Sequence, residues 1–146
     1  MKYYIAYGSN LSIQQMLHRC PDAIYIGYAI VPGYQLVFRR TYLTIEPKKN
    51  SSVPVLVWQI SDADERSLDR YEGCPTFYRK EQMSVEVLDF INGNPIATVD
   101  ALVYIMNDGF EISPPSAFYW QTCREGYLRF GFDVKHLMKA LPKKSK

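Results

Sequence analysis

The chain has 146 residues, of which 47% are hydrophobic and 22% are charged, and its formal net charge is +2. This length and composition predict a soluble globular protein with a hydrophobic core of its own. The basic residues are dispersed except at residues 143–146, so no face for nucleic acid is indicated. No apolar run is long enough to span a membrane.

The three cysteines, Cys20, Cys74 and Cys123, are too few and too scattered for a disulfide scaffold or a zinc site. Dispersed thiols suit a reducing compartment, and no signal peptide is recognised before the first predicted strand. We therefore expect a cytoplasmic protein without a metal site. The sequence does not indicate an oligomeric state.

Residues 2–7 are rich in Tyr and Ile and predict a first strand that runs into the segment 7–11, Tyr-Gly-Ser-Asn-Leu. Ser12 and Gln15 have the spacing of a capping box that opens a helix toward Cys20. A strand, a tight turn and a helix start bring several backbone N–H groups to one point, which suits a carboxylate or a phosphate. The same pattern is also that of an ordinary strand-to-helix turn.

The middle of the chain predicts a run of strands and then a short helix. The strands are expected at residues 24–31, 34–40 with a continuation at 42–46, and 53–60, with a Pro-Gly turn at 32–33 and a polar loop at 47–52. Ser61 caps the helix, whose acidic first turn complements the helix dipole. Gly73 is placed to end this helix in the left-handed conformation.

The last third predicts a hairpin and two helices. Strands at residues 82–90 and 96–106 flank an Asn-Gly-Asn turn at 92–94. Ser113, followed by two prolines, is expected to cap a helix that reaches Phe130 and stops at Gly131. Asp133 caps a final short helix toward Leu141.

The predicted order of elements is β-α-β-β-β-α-β-β-α-α. The strands between the first two helices have no helical crossovers, so we expect an α+β fold with a mainly antiparallel sheet. About five or six strands would close into a small barrel flanked by helices. We expect one domain over residues 1–141 and a basic tail over residues 142–146.

Glu72 occupies the position that most favours proton chemistry. It lies in the last turn of the predicted helix, directly before Gly73, where the negative end of the helix dipole disfavours the charged carboxylate. If Glu72 is also desolvated, its pKa should rise from about 4.3 toward neutrality. The alternative is a solvated residue at the end of a helix.

Five sequence motifs, in the same order, resemble the γ-glutamylcyclotransferase (AIG2-like) superfamily. They are Tyr-Gly-Ser-Asn-Leu at 7–11, the apolar strand at 57–60, Leu-Asp-Arg-Tyr-Glu-Gly at 68–73 with Tyr78 after it, Tyr-x-Met at 104–106, and Pro-Pro-Ser-x-x-Tyr at 114–119. The resemblance implies a small barrel that cyclises a γ-glutamyl amide to 5-oxoproline and releases an amine or amino acid. The α-amino group of the substrate is the nucleophile, so the resemblance implies no cofactor.

The resemblance also implies the roles of individual residues. Glu72 would be the general base and acid, and the turn would hold the glutamyl part of a small-molecule substrate. The implied substrate-binding residues are Tyr7, Gly8, Ser9, Asn10, Leu11, Tyr78, Tyr104 and Tyr119.

The substrate and the reaction stay open at this point. The segment 71–75 with Tyr78 and Arg79 is also similar to the γ-glutamylamine cyclotransferase branch, which acts on γ-glutamyl-ε-lysine. A further relative removes a γ-glutamyl protecting group during antibiotic biosynthesis. A non-catalytic module that binds a small acid on the same fold is the alternative from a different functional class.

Overall fold

The computed structural model of the protein describes residues 1–143. The strands are β1 (Lys2–Ala6), β2 (Ile24–Arg39), β3 (Tyr42–Ile60), β4 (Tyr78–Leu88) and β5 (Pro95–Met106). The helices are α1 (Ile13–Arg19), α2 (Asp62–Glu72), α3 (Ala117–Phe130) and α4 (Lys135–Ala140), and a 3-10 turn spans Ser9–Leu11. Of the predicted basic tail, residues 144–146 lie outside the described residues.

The five strands close into a barrel in the order β1-β3-β2-β4-β5. All neighbouring pairs are antiparallel except β1 and β5, which close the barrel in parallel. The residues of β3 from 53 to 58 are buried without alternation, as is typical of a strand that is covered on both faces. The prediction of an α+β fold with a small, mainly antiparallel barrel is confirmed.

Two predicted interruptions of the sheet are wrong. The Pro-Gly turn expected at residues 32–33 lies inside β2, and the polar loop expected at residues 47–52 lies inside β3. The two strands stay paired on both sides of a register shift near Gly33, which has a φ of 78°. A bulge can absorb residues that otherwise favour a turn, and β2 and β3 are therefore long strands of 16 and 19 residues.

The helix α3 begins later than predicted. Ser116, not Ser113, is its cap, and the Ser116 hydroxyl accepts a hydrogen bond from the backbone N–H of Tyr119 at 3.1 Å. The two prolines before Ser116 explain the difference, because a residue that precedes proline is restricted to extended conformations. The Ser113 hydroxyl instead accepts the backbone N–H of Thr41 at 2.8 Å.

The other predicted helix ends are close to those observed. Gly73 and Gly131 end α2 and α3 in the left-handed conformation, with φ of 63° and 72°. Ser61 and Asp64 form a complete capping box at the start of α2. Asp133 accepts the first backbone N–H of α4 at 2.9 Å, although the helix itself begins two residues later.

Helix α3 packs against the 3-10 turn that follows β1, and this contact positions the turn. A Cβ atom added at Gly126 would lie 2.5 Å from the Cβ of Leu11, so the helix approaches the turn as closely as a glycine allows. The Tyr127 hydroxyl donates to the carbonyl of Tyr7 at 3.1 Å. Within residues 1–143, no helix is long and apolar enough to cross a membrane.

We predict that Gly126→Ala lowers the free energy of unfolding by about 1–3 kcal/mol, because the added methyl group overpacks the contact with Leu11. The direction of this change in the free energy of unfolding is informative, because Ala in place of Gly normally stabilises a helix by about 1 kcal/mol. Urea denaturation measures the change. Arg124→Ala, on an exposed position of the same helix, is the matched control and should be nearly neutral. A more stable Gly126→Ala protein would contradict the proposed packing.

Candidate active site

A cavity of about 220 Å³ lies between the end of β1, the 3-10 turn and the C-terminal end of α2. Seven of its lining residues are tyrosines. The full lining is Tyr4, Ile5, Tyr7, Gly8, Ser9, Asn10, Tyr42, Leu43, Tyr71, Glu72, Phe77, Tyr78, Tyr104 and Tyr119. The strand β1 with its turn therefore meets, in one cavity, a helix end that is about 65 residues away in the chain.

The backbone of the Gly-Ser-Asn turn presents free donors to this cavity. The carbonyl of Gly8 accepts the N–H of Leu11 at 3.1 Å, and the carbonyl of Ser9 accepts the N–H of Ser12 at 3.0 Å. The N–H groups of Ser9 and Asn10 have no hydrogen-bond partner within residues 1–143. Such orphan amides at the start of a helical turn favour an oxyanion or a carboxylate.

The side chains of the turn are held by the surrounding structure. The Asn10 amide group donates to the Tyr4 hydroxyl at 2.9 Å, and the Asn10 carbonyl oxygen of the backbone accepts from the Trp58 indole at 3.2 Å. The Ser9 hydroxyl lies 3.0 Å from the Tyr71 hydroxyl. These contacts fix the conformation of the turn and leave its backbone N–H groups for a ligand.

Arg19, the last residue of α1, connects the turn to the end of α2. Its guanidinium donates to the Asn10 side chain at 2.5 Å and lies 3.6 Å from the centroid of the Tyr71 ring, a distance typical of a strong cation–π contact. Arg19 also donates to the side chain of Gln15 at 3.0 Å. The Gln15 side chain is therefore turned toward Arg19, and the predicted reciprocal bond back to Ser12 is wrong.

Glu72 is the only carboxylate among the residues that line the described cavity. It is half-buried, and its side chain forms no hydrogen bond or ion pair with any other residue of the described range 1–143. Desolvation raises the pKa of Glu72 from 4.5 to about 7, and the positive charge of Arg19 opposes this rise. A carboxyl group of this kind can exchange protons near neutral pH.

The hydroxyl groups of the predicted tyrosines are largely engaged within the protein. Tyr7 donates to the carbonyl of Tyr104, and Tyr78 donates to the carbonyl of Leu43, both at 2.6 Å. Tyr104 donates to a carboxylate oxygen of Asp69, also at 2.6 Å. Burial raises the pKa of each of these phenols, so they stay protonated and form fixed walls of the cavity.

The structure brings all but one of the predicted site residues together. Tyr7, Gly8, Ser9, Asn10, Glu72, Tyr78, Tyr104 and Tyr119 line the cavity. Leu11 is not among the lining residues. Its apolar side chain is 0% exposed and packs under α3 beside Gly126, because the 3-10 turn directs this residue into the core.

Several cavity residues were not predicted from the sequence. Tyr71 directly precedes Glu72, and this adjacency was the one available signal. The walls formed by Tyr42 and Phe77 arise only when the barrel closes, and the two rings meet edge to face with centroids 5.9 Å apart. No local pattern in the chain indicates that contact.

Comparisons with known proteins agree with this architecture. The model of the family "Gamma-glutamyl cyclotransferase, AIG2-like" matches residues 4–121. A solved gamma-glutamyl cyclotransferase is similar with a TM-score of 0.80 and 24% identity, over 99% of this chain and 90% of that chain. No curated protein matches the chain by sequence.

Two further solved structures show the same fold. A structure described as an uncharacterized protein from Homo sapiens has a TM-score of 0.77 and 25% identity, over 99% of this chain and 90% of that chain. An AIG2-like protein from Mus musculus has a TM-score of 0.61 and 20% identity, over 80% of this chain and 88% of that chain. At these identities the solved structures establish the fold, and the family model establishes the relationship.

The raised pKa of Glu72 predicts a specific effect of pH on stability. Between pH 4.5 and about 7 the folded protein retains a proton that the unfolded chain loses, so the free energy of unfolding falls as pH rises through this interval. We predict that Glu72→Gln, which removes the charge, stabilises the protein at pH 8 by on the order of 2 kcal/mol. At pH 4 the substitution should have little effect.

Urea denaturation at pH 4, 6 and 8 measures this difference. Glu86→Gln, on an exposed position of β4, is the control and should show no comparable dependence on pH. A Glu72→Gln protein that is less stable than the wild type at pH 8 would show that the carboxylate is not desolvated.

Proposed function

The chain belongs to the gamma-glutamyl cyclotransferase, AIG2-like family, and from this premise we propose that it is an enzyme that converts γ-glutamyl amides to 5-oxoproline. One observation carries the proposal. A single cavity combines a half-buried Glu72 carboxyl group, with a pKa of about 7, and the free backbone N–H groups of Ser9 and Asn10. These are a proton acceptor and a set of oxygen-binding donors, and no other residue type is needed for an intramolecular cyclisation.

In the proposed reaction the α-amino nitrogen of the glutamyl group attacks its own γ-carbonyl carbon. A new C–N bond closes the five-membered ring, and the bond to the departing nitrogen breaks. One proton moves overall from the α-nitrogen to the departing nitrogen. Glu72 accepts this proton from the attacking amine and returns it to the leaving amine, so the carboxylate is regenerated. A positioned group of this kind typically contributes about 10²–10⁴-fold to the rate.

The turn and the aromatic walls support the same reaction by holding the substrate. The N–H groups of Ser9 and Asn10 would donate to oxygens of the glutamyl group. Rigid tyrosine walls would keep the α-amino group folded back on the γ-carbonyl, and such preorganisation can supply up to roughly 7–11 kcal/mol. The same walls remove water from Glu72, which keeps its pKa near neutrality.

Cysteine chemistry receives no support from the surroundings of the thiols. Cys20 and Cys123 are fully buried, and burial raises the pKa of both thiols to about 12. Burial also raises the pKa of Cys74. A thiol with a raised pKa is a poor nucleophile at neutral pH, whereas the α-amino group of the substrate supplies a nucleophile of its own.

We also propose that residues 1–141 act as one domain in a reducing compartment such as the cytoplasm. All five strands belong to the one closed barrel, and α3 and α4 pack onto it. The three cysteines are free thiols, which suits a reducing environment. The family relationship favours a small-molecule substrate.

The reaction is tested by incubating the protein with γ-glutamyl dipeptides, γ-glutamyl amines and glutathione and measuring 5-oxoproline. We expect release from at least one compound, and we expect Glu72→Gln to lower kcat by at least about 100-fold, the lower range for a positioned acid or base. Glu86→Gln serves as the exposed control and should retain full activity. Turnover that survives Glu72→Gln would exclude Glu72 as the base, and binding without turnover of any compound would favour a small-acid receptor.

The pH dependence of kcat/KM gives a second test. Because Glu72 must be ionised to accept a proton, kcat/KM should rise with pH through a midpoint near 7. Arg19→Gln removes the positive charge that lowers the pKa of Glu72, so the midpoint should move to higher pH. Arg70→Gln, on the same helix as Glu72 and away from the cavity lining, should leave the midpoint unchanged. A midpoint that Arg19→Gln does not move would contradict this electrostatic coupling.

A further inference from the structure

The mouth of the cavity is flanked by two arginines that differ in their contacts. Among the residues that line the cavity, Tyr42 and Tyr71 are the most exposed, each at 43%, and they mark its opening. Arg19 stacks on Tyr71 and already donates to two side chains. On the opposite side, the guanidinium of Arg40 lies 5.4 Å from the centroid of Phe77, the ring that meets Tyr42 at this edge of the cavity.

The Arg40 guanidinium is free to bind a ligand. Its side chain forms no hydrogen bond or ion pair with any residue of the described chain, 1–143. Its neighbour in the chain, Arg39, differs in this respect, because it forms an ion pair with Glu46 at 2.6 Å. Arg40 therefore presents a full set of planar donors, a geometry that matches a carboxylate in a bidentate contact.

Arg40 lies in a tight turn whose backbone conformation is unfavourable for the residues that form it. Arg40 and Thr41 form the two-residue connection between β2 and β3, and both have positive φ, 50° and 68°. Asn and Gly are the residues that favour such a turn, whereas a positive φ is strained for a β-branched Thr. The turn is anchored by two bonds, from the Arg40 N–H to the carbonyl of Glu111 at 3.0 Å and from the Thr41 N–H to Ser113 at 2.8 Å.

The aromatic surroundings define what can approach Arg40. The guanidinium lies against the rings of both Phe77 and Phe110, with centroid distances of 5.4 and 5.5 Å. Phe110 in turn packs edge to face on Phe77. A part of the ligand that extends out of the cavity past Tyr42 and Phe77 would therefore contact these aromatic rings first and the Arg40 guanidinium beyond them.

We propose that Arg40 and the aromatic rim of Tyr42 and Phe77 form a subsite for the departing part of the substrate, with the guanidinium binding a carboxylate. This inference rests on the proposed function, in which the glutamyl group occupies the inner cavity. It predicts a preference for γ-glutamyl amino acids, whose leaving group carries an α-carboxylate and an apolar side chain, over γ-glutamyl amines that lack the carboxylate.

The test uses two compounds that differ only in this carboxylate, γ-glutamyl-leucine and γ-glutamyl-isoamylamine. Binding is measured by calorimetry on the Glu72→Gln protein, so that the result does not depend on turnover. Arg40→Asn removes the guanidinium and keeps a residue that tolerates positive φ. We expect this change to weaken binding of γ-glutamyl-leucine roughly tenfold, as for loss of a charge-assisted hydrogen-bond pair, and to leave binding of the amine unchanged.

Two further variants distinguish the effect of losing the guanidinium from the effect of altering the turn. Thr41→Asn alters the other residue of the same turn and should leave the affinity for both compounds unchanged. Arg40→Lys keeps the charge but loses the planar fork, so its affinity for γ-glutamyl-leucine should fall between that of the parent Glu72→Gln protein and that of the Arg40→Asn variant. Equal effects of Arg40→Asn on both compounds, or no effect on either, would overturn the subsite. A carboxylate-specific loss in Arg19→Lys, with Arg40→Asn silent, would also overturn it.

The failure of the proposed function looks different in the same experiments. If the unmodified protein releases no 5-oxoproline from these two compounds or from any other compound of the γ-glutamyl panel, the cyclisation is wrong. The subsite is still judged by the calorimetry, where a tenfold, carboxylate-specific effect of Arg40→Asn supports it. The absence of binding by both compounds would overturn the subsite together with the proposed function.

Discussion

The Glu72 carboxyl group lies at the C-terminal end of α2, where aromatic walls and the helix dipole both oppose its negative charge. Desolvation raises its pKa from 4.5 to about 7, and the positive charge of Arg19 acts in the opposite direction. A group in this position weakens the folded state above neutral pH. The rest of the fold must therefore hold the helix end in place, and several contacts around the cavity do so.

Those contacts come from elements that are distant in the chain. The parallel pairing of β1 with β5 closes the barrel, and the turn after β1 lines the same cavity as the end of α2. Arg19 joins the two through Asn10 and Tyr71, and α3 presses on the other side of the turn at Gly126. One connected group of residues thus sets both the geometry of the turn and the pKa of Glu72. A substitution at Arg19 would disturb both.

Much of this arrangement could be predicted from local sequence. The turn after the first strand, the capped helix from Ser61 to Gly73 and the position of Glu72 at its end follow from residue preferences that act over a few neighbours. Local signals failed where long-range pairing was stronger. The segment 47–52 has the composition of a loop, yet it lies within β3, and β3 pairs with β2 at both of its ends, Pro47 with Tyr34 and Ser52 with Pro32.

The cavity walls could not be predicted from local sequence either, because they form through contacts between segments that are distant in the chain. Tyr42 and Phe77 meet only because the β2–β3 hairpin and the segment after α2 come together around the closed barrel. Leu11 differs from its neighbours in the chain in the direction of its side chain. It belongs to a motif whose other members line the cavity, but the tight 3-10 turn directs its side chain into the core. A sequence motif marks a place in the fold without stating which way each side chain points.

The most direct test of the role of Glu72 is a carbon-13 NMR titration of the side-chain carboxyl groups, with the Glu72 resonance assigned by its loss in Glu72→Gln. We predict that this resonance titrates with a pKa of about 7 in the unliganded protein. A Glu72 pKa near its ordinary value of 4.5 would contradict the central claim, because the carboxyl group would then be solvated and too weak a base for the proposed proton transfer.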